Sequence, residues 1–291
     1  MKHLAFFLVF VLLIGCLSGC GTANTADITA TTLPVYSFSA MLCDGTPLRV
    51  SRLITENVSC LHDYTLQVPQ MQSIQSAQVV VINGAGLEEF LEDALHDADC
   101  IVDASEALSL IEGTHHDHDH SHSHVHEEDP HIWLSPENAK VMAHNICHGL
   151  SHEFPQYEAV FEKNLNDLVS KLDALQTYGE ETLSSLSCRE LITFHDGFSY
   201  FAESFGLTIL KSVEEESGSE ASASQLKELC NLVHCHSIPA VFTETNGSVS
   251  AAQIISSETG AKIYTLDMAM SGEDYFEAMY RNIDTIKEAL Q

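Results

Sequence analysis

Short apolar runs alternate with helix-period segments along two stretches of the chain, residues 27–110 and 191–291. Each stretch holds four apolar runs of strand length. The predicted strands are Ile28–Leu33, Leu48–Ile54, Gln78–Asn83 and Cys100–Asp103, then Leu191–Phe194, Leu207–Ser212, Ala240–Thr243 and Lys262–Leu266. The predicted helices are Phe38–Cys43, Met71–Gln75, Leu87–Leu95, Gly197–Phe205, Ser224–His234, Val249–Thr259 and Asp274–Leu290. Strands that alternate with helices favour parallel sheets, so the pattern predicts an α/β protein with two similar lobes.

A single long helical segment separates the two stretches. Apolar residues recur every three or four positions over residues 156–186, which predicts one amphipathic helix. Such a helix is roughly 45 Å long, which exceeds the width of one lobe. A coiled-coil dimer is the competing interpretation, but the segment lacks the e/g charge pairing of a coiled coil. We therefore expect a linking helix and a monomeric protein.

The N-terminus has the pattern of an export signal. Ala5–Ile14 is an apolar run behind a short polar start, the size of a signal peptide and too short to span a bilayer. Leu-Ser-Gly-Cys at 17–20 resembles a bacterial lipobox, with Cys20 as the lipidated residue and Cys16 as the alternative. We expect an exported lipoprotein anchored to the outer face of the cell membrane. The predicted division is a signal peptide 1–19, a tether 20–26, an N-terminal lobe 27–155, a linking helix 156–186 and a C-terminal lobe 187–291.

Net charge limits the possible partners of the protein, and the cysteine count limits its possible disulfides. The chain has 12 Lys plus Arg against 42 Asp plus Glu, a net charge of −30. This balance excludes nucleic acid as a partner, because a phosphate backbone requires a basic surface. Without Cys16 and Cys20 the nine cysteines fall to seven, so at least one thiol has no partner within the chain, and the pairing stays open.

A histidine-rich segment occupies residues 114–129, THHDHDHSHSHVHEED. Almost nothing in it can pack into a core, which predicts a mobile loop. Neutral imidazoles favour zinc, copper and nickel, and acidic neighbours attract dications. We expect a loop that collects metal without selecting it; a purification tag is the alternative. Its histidines are His115, His116, His118, His120, His122, His124 and His126.

Three further histidines lie at predicted junctions between elements. His62 follows the second strand, His131 precedes a helix that starts at Pro136, and His195 ends the first strand of the second lobe. Strand ends and helix starts are where α/β sheets gather ligands. A single histidine in such a place is more often structural, but three of them beside a histidine-rich loop indicate a metal site.

Several sequence motifs, in this order, resemble one known family. They are LHDYTLQVPQ, AQVVVINGAGLEEFL, the histidine-rich insert, DPHIWLSPENA, TFHDGFSYFAESFGL, FTETN and SSETGAKIYTLD. Together they resemble the substrate-binding lipoproteins of zinc and manganese ABC importers across nearly all of the mature chain. The resemblance implies two (β/α)4 lobes joined by one backbone helix, with a metal between the lobes.

On this sequence the family's ligand positions fall on His62, His131, His195 and Asp267. Three imidazoles and one carboxylate suit a closed tetrahedral Zn²⁺ site. Whether Asp267 or a water is the fourth ligand stays open. We expect Glu244 to accept a hydrogen bond from a histidine N–H and so to orient the ring. Manganese members of the family usually carry glutamate at the position of His195.

The resemblance implies a zinc-binding protein that delivers Zn²⁺ to the membrane permease of an ABC importer. A manganese-binding importer component is the first alternative, and a metal-binding adhesin or storage lipoprotein is another. A secreted zinc hydrolase is least favoured, because neither His-Glu-x-x-His nor Gly-x-Ser-x-Gly occurs. We do not expect an enzyme.

Overall fold

The computed structural model describes residues 26–56, 61, 64–96, 98–112, 128–214, 221–245, 247–270 and 272–291. Several predictions from sequence lie outside these residues: the signal peptide, Cys20 with nearly all of its tether, His62, and the seven histidines of the loop. No helix among the residues described combines the length and the apolar character needed to cross a bilayer.

The N-terminal lobe is built on a four-stranded parallel sheet. Its strands are β1 (Ile28–Ala30), β2 (Val50–Arg52), β3 (Val79–Ile82) and β4 (Ile101–Asp103). They lie in the order β2-β1-β3-β4, and every pair is parallel. Because the first strand is central, the chain returns over both faces of the sheet, and the carboxyl ends of all four strands meet at one edge.

The C-terminal lobe repeats this topology. Its strands are β5 (Glu190–His195), β6 (Thr208–Glu214), β7 (Ala240–Glu244) and β8 (Lys262–Leu266). Their order is β6-β5-β7-β8, again all parallel. The prediction of two similar parallel lobes is therefore confirmed.

Nine α-helices occur in the described part of the chain. They are α1 (Leu33–Leu42), α2 (Val68–Ser76), α3 (Glu92–Leu95), α4 (Pro136–Glu153), α5 (Glu158–Leu183), α6 (Ser199–Ser204), α7 (Ala223–His236), α8 (Ser250–Thr259) and α9 (Tyr275–Leu290). Short 3₁₀ turns occur at Glu89–Leu91, Ile132–Leu134 and Pro155–Tyr157. The predicted linking helix is α5, which packs against α4, α9 and α1. It is preceded by the turn at Pro155, so it begins two residues later than predicted.

Two element predictions were wrong in detail. The first strand ends at Ala30, and Leu33 is the first residue of α1. Pro34 accounts for this, because a proline in the first turn has the fixed φ of a helix and no N–H to lose. The helix predicted over Leu87–Leu95 is a 3₁₀ turn followed by the short α3.

A continuous apolar core joins both lobes and the linking helix. Trp133 is part of this core and is fully buried. Its indole N–H donates to the carbonyl of Met268 at 2.7 Å, and its own carbonyl accepts from the hydroxyl of Tyr275 at 2.7 Å. Trp133 belongs to the N-terminal lobe, whereas Met268 and Tyr275 follow the last strand of the C-terminal lobe. The two lobes are therefore held together beside His131, by bonds that involve a residue only two positions away.

The cysteines of the described chain carry free thiols. They are Cys43, Cys100, Cys147, Cys188, Cys230 and Cys235. Burial raises the pKa of the Cys43 thiol to about 12, which keeps it protonated and unreactive.

Candidate metal centre

His131 is held immediately before the 3₁₀ turn that leads into α4. Its backbone N–H and its ring Nδ1 both bond Asp129 Oδ1, at 2.9 and 2.7 Å. His131 is 3% and Asp129 6% exposed. Because a carboxylate only accepts hydrogen bonds, Nδ1 carries the proton, and the lone pair of Nε2 is left to bind a metal.

His195 is the last residue of β5 and is 2% exposed. Its Nδ1 lies 3.9 Å from Oε2 of Glu244, the last residue of the neighbouring strand β7. This separation exceeds hydrogen-bond distance, yet the two side chains form a buried pair of complementary charge character. The role expected of Glu244 as an acceptor for a histidine N–H stays a prediction.

The two histidines meet across the junction of the lobes. Their Nε2 atoms are 3.3 Å apart, and the ring planes are nearly perpendicular at 89°. Two nitrogens bound to one Zn²⁺ at about 2.0–2.1 Å, at the tetrahedral angle, lie about 3.3–3.4 Å apart. The pair is therefore spaced as two ligands of one tetrahedral zinc ion are.

Gly197 allows the ring of His195 its position. A Cβ on Gly197 would stand 2.8 Å from Cδ2 and 3.0 Å from Nε2 of His195, and 2.7 Å from the terminal methyl of Met268. A side chain here would force the His195 ring or the Met268 methyl to shift. The glycine of the Thr-Phe-His-Asp-Gly motif thus serves close packing around the imidazole.

Asp267 directly follows β8 and is fixed in a turn. Its Oδ1 accepts from the N–H of Ala269 at 2.8 Å, and Oδ2 lies 4.0 Å from a guanidinium nitrogen of Arg281. Asn282 bonds both backbone groups of Asp267, at 2.8 and 2.6 Å. Asp103, at the end of β4, forms the same turn with Ser105 in the other lobe. Because Oδ1 serves this turn, Oδ2 is the oxygen open to a metal.

Of the four predicted ligands, the structure brings His131 and His195 together. His62 lies outside the described residues, and within those residues no three His, Cys, Asp or Glu side chains are spaced as a metal site. Asp267 therefore stays a prediction as a ligand. Sequence reasoning missed Asp129, although the signal was present: a carboxylate two residues before His131 in Asp-Pro-His.

A buried carboxylate supports the backbone next to His131. Glu88 accepts from the Thr31 hydroxyl at 2.6 Å and from the N–H groups of Asn83 and Gly84 at 2.8 and 3.0 Å. The Asn83 amide in turn donates to the carbonyl of Pro130 at 3.1 Å. Burial raises the pKa of Glu88 to about 7, although these three hydrogen bonds oppose the rise.

Two parallel α/β lobes, one linking helix and a buried imidazole pair where the lobes meet define a two-lobed metal-binding protein. The family model described as ZnuA, zinc-uptake complex component A, periplasmic, matches residues 28–289. The chain belongs to this family.

Individual relatives agree with this assignment. High-affinity zinc uptake system protein ZnuA of Bacillus subtilis (strain 168) is 28% identical over 302 residues, which cover 96% of this chain and 94% of that protein. Zinc-binding lipoprotein AdcA of Streptococcus pneumoniae serotype 4 is 29% identical over 293 residues. That match covers 94% of this chain but 58% of AdcA, so the chain spans a little over half of that relative.

Solved structures share the fold. A crystal structure of ZnuA, 28% identical, superposes with a TM-score of 0.81 over 92% of this chain and all of that one. A crystal structure of Zn(II)-bound AdcA from Streptococcus pneumoniae has a TM-score of 0.76 at 28% identity, over 92% of this chain and 58% of that one.

Proposed function

We propose that this protein is an extracytoplasmic zinc-binding protein that delivers Zn²⁺ to the permease of an ABC importer. The observation that carries the proposal is the spacing of the His131 and His195 Nε2 atoms, 3.3 Å, at the junction of the lobes. Zinc is the cargo here, held by imidazoles whose burial excludes water. Family membership supports the same cargo, because the family is described as a zinc-uptake component.

We propose His62 and Asp267 as the remaining ligands, with water as the alternative to Asp267. One oxygen of Asp267 already accepts a hydrogen bond from the Ala269 N–H. A carboxylate engaged in this way favours binding through its other oxygen alone. One-oxygen binding completes a four-coordinate site, which suits Zn²⁺ better than the five or six ligands that Mn²⁺ prefers.

The position of Arg281 supports the assignment of Asp267 as a ligand. Its positive charge faces the carboxylate where a metal cation could take its place. Its guanidinium lies 4.0 Å from Oδ2 and 3.5 Å from Glu277, and its side chain is 58% exposed. An exposed side chain of this kind moves away at little cost. We infer that the cation of Arg281, which faces Asp267, can give way to Zn²⁺.

Export and lipid anchoring at Cys20 complete the proposal. The supports are the apolar run Ala5–Ile14, the lipobox at 17–20 and the relative described as a zinc-binding lipoprotein. The partner is then the membrane permease, with the protein acting as a monomer and without an enzymatic activity.

The test is a gene deletion in the source bacterium, grown in medium depleted of zinc by a chelator. The deletion strain should stop growing and should recover with added Zn²⁺ or with the wild-type gene. A gene encoding both His131→Ala and His195→Ala should not restore growth, although the protein is exported at the normal level. Growth that is independent of the gene, or restored by the double variant, would overturn zinc delivery. It would then favour the adhesin or storage alternative.

A further inference from the structure

Ile111 and Asp129 face each other as an antiparallel pair and share one backbone hydrogen bond. The N–H of Asp129 donates to the carbonyl of Ile111 at 2.9 Å, and the next residues, Glu112 and Glu128, form an antiparallel bridge. The one bond they share marks Ile111 and Asp129 as a hydrogen-bonded pair, and such pairs normally exchange two N–H···O bonds. Here the second bond is replaced by a side chain, which points to a specific task for that side chain.

The inserted group is the hydroxyl of Tyr200. It accepts from the N–H of Ile111 at 2.9 Å and donates to the carbonyl of Asp129 at 3.0 Å. Tyr200 comes from the other lobe, on α6, five residues after His195, and it is 3% exposed. One hydroxyl therefore closes a strand pair of the N-terminal lobe from the C-terminal lobe.

The hydroxyl keeps its proton under all physiological conditions. Burial raises the pKa of Tyr200 to about 12, and the negative charges of Asp129, Glu128 and Glu203 act in the same direction. The bond to the Asp129 carbonyl therefore always has its donor. Neutral groups of this kind give a fixed geometry that does not change with pH.

Asp129 is thus held at both ends. Tyr200 bonds its carbonyl, and its carboxylate bonds the ring Nδ1 and the backbone N–H of His131. We propose that Tyr200 is a positioning residue for metal binding, which fixes Asp129 from the opposite lobe so that the His131 imidazole keeps its Nε2 lone pair aimed at the metal. This inference rests on the proposed zinc site, since it assigns a role to a residue that does not itself touch the ion.

The strand pair lies directly beside the histidine-rich segment in the sequence. The bridge of Glu112 and Glu128 flanks residues 113–127, which include the seven clustered histidines in sequence. Tyr200 bonds the residues just outside this bridge. Asp129 follows the bridge residue Glu128 and bonds His131, so Tyr200 holds the residue that connects the bridge to this ligand.

The experiment compares Tyr200→Phe with the wild type as metal-free, lipid-free mature protein. Zn²⁺ affinity is measured by competition with a chelator of known affinity. Groups that hold a metal ligand in place typically change affinity about 10–100-fold when removed, and we expect about tenfold weaker binding. Tyr178→Phe is the control, because it removes a tyrosine hydroxyl on α5 that bonds Asp284 of α9 and contacts no proposed ligand among the described residues. That variant should bind as the wild type does.

Two measurements distinguish a positioning role of Tyr200 from a general loss of protein stability in the variant. In a double-mutant cycle, Tyr200→Phe should change affinity little once Asp129→Ala is present. Nitrogen NMR of the metal-free protein should show His131 shifting from the Nδ1–H tautomer in Tyr200→Phe and not in Tyr178→Phe.

Wild-type affinity with an unchanged His131 tautomer in Tyr200→Phe would overturn the inference, and so would fully additive effects in the cycle. Failure of the wild type itself to bind Zn²⁺ would instead overturn the proposed function. The two failures are therefore distinguishable from the same titrations.

Discussion

His131 and His195 place their Nε2 atoms 3.3 Å apart, although one precedes a helix of the N-terminal lobe and the other ends a strand of the C-terminal lobe. The contact lies beside the bond from Trp133 to Met268, which also joins the lobes. A metal bound between these nitrogens therefore contacts both lobes at once. Binding and the relative position of the lobes are then energetically linked, because any ligand that contacts both lobes favours their closed arrangement.

The first prediction concerns the ligands. His62→Ala, His131→Ala and His195→Ala should each weaken Zn²⁺ binding at least about tenfold, since even groups that only orient a ligand have effects of this size. Titration calorimetry with a competing chelator measures the change. His152→Ala is the control, because its side chain is 80% exposed in the last turn of α4. Near-wild-type affinity in two of the three variants would contradict the assignment of the site.

Local patterns were sufficient to predict much of this arrangement. The apolar runs predicted eight strands, and the three- and four-residue spacing predicted the linking helix, because these periods report which face is buried. The junction positions of His131 and His195 were also readable, since parallel strands gather their carboxyl ends at one edge. The end of β1 could not be predicted, because the apolar run continues into Leu33. That residue already belongs to the helix α1, with Pro34 in its first turn.

Contacts between distant residues could not be predicted from a single sequence. Tyr200 bonds Asp129, 71 residues away, and Trp133 bonds Met268, 135 residues away. Neither pair leaves a periodic signal, because each depends on how the two lobes pack. The role of Asp129 could have been proposed from the sequence, because it lies two residues before His131. A carboxylate near a histidine can, however, point toward the ring or toward solvent, and only the structure shows which.

A second prediction concerns Gly197. Gly197→Ala should weaken Zn²⁺ binding several-fold, because a Cβ there would lie 2.8 Å from the His195 ring and the ring has no room to turn in a close-packed interior. The chelator competition assay measures the loss.

The Met268 methyl also meets the new Cβ, at 2.7 Å, and it provides the internal control. Adding Met268→Ala relieves that flexible contact but not the contact with the ring. The double variant should therefore stay weak in binding. Recovery of wild-type affinity would show that the methionine, and not the imidazole, was displaced.

The third prediction concerns the histidine-rich segment. Deleting residues 115–126 should leave one tight Zn²⁺ site and remove several weaker ones, because seven closely spaced imidazoles supply ligands without fixed geometry. Calorimetric titration resolves the two classes by their stoichiometry. Replacing the same residues with a Gly/Ser segment of equal length controls for the shortened chain. Loss of the tight site in both variants would show that the segment itself forms it.

The fourth prediction is a pH dependence of stability through Glu88. Its pKa is raised from 4.5 to about 7 in the folded protein, so the folded state binds this proton more tightly than the unfolded state. The stabilisation is complete below about pH 4.5 and is lost as the pH rises to about 7. A shift of this size corresponds to about 3 kcal/mol in the free energy of unfolding.

Urea unfolding of the metal-free protein between pH 4.5 and 8 measures this effect as a difference between the wild type and Glu88→Gln. The advantage of the wild type should shrink as the pH rises through this window. Glu137→Gln is the control, because it makes the same chemical change at a carboxylate that is 61% exposed. A constant difference for Glu88→Gln would show that burial does not raise the pKa of this carboxyl.

The last prediction concerns which metal the site holds. The proposed ligand set, three imidazoles and a carboxylate whose Oδ1 is already hydrogen-bonded, favours four-coordinate Zn²⁺. Mn²⁺ prefers oxygen ligands and five or six of them. Affinity for each metal measured alone does not identify the physiological cargo, because Zn²⁺ binds more tightly than Mn²⁺ at nearly any site of this kind. The informative measurement is X-ray absorption of the protein equilibrated with equimolar Zn²⁺ and excess Mn²⁺.

The wild type should retain zinc in tetrahedral coordination under these conditions. His195→Glu replaces one nitrogen with a carboxylate and should shift the balance toward Mn²⁺, because Mn²⁺ prefers oxygen ligands. His195→Gln is the matched control, since it removes the imidazole and adds no charge; it should lose Zn²⁺ affinity without gaining Mn²⁺. Manganese in five- or six-fold coordination in the wild type would contradict the zinc assignment. It would still leave metal delivery to a permease intact, because the lobes and the junction site serve either ion.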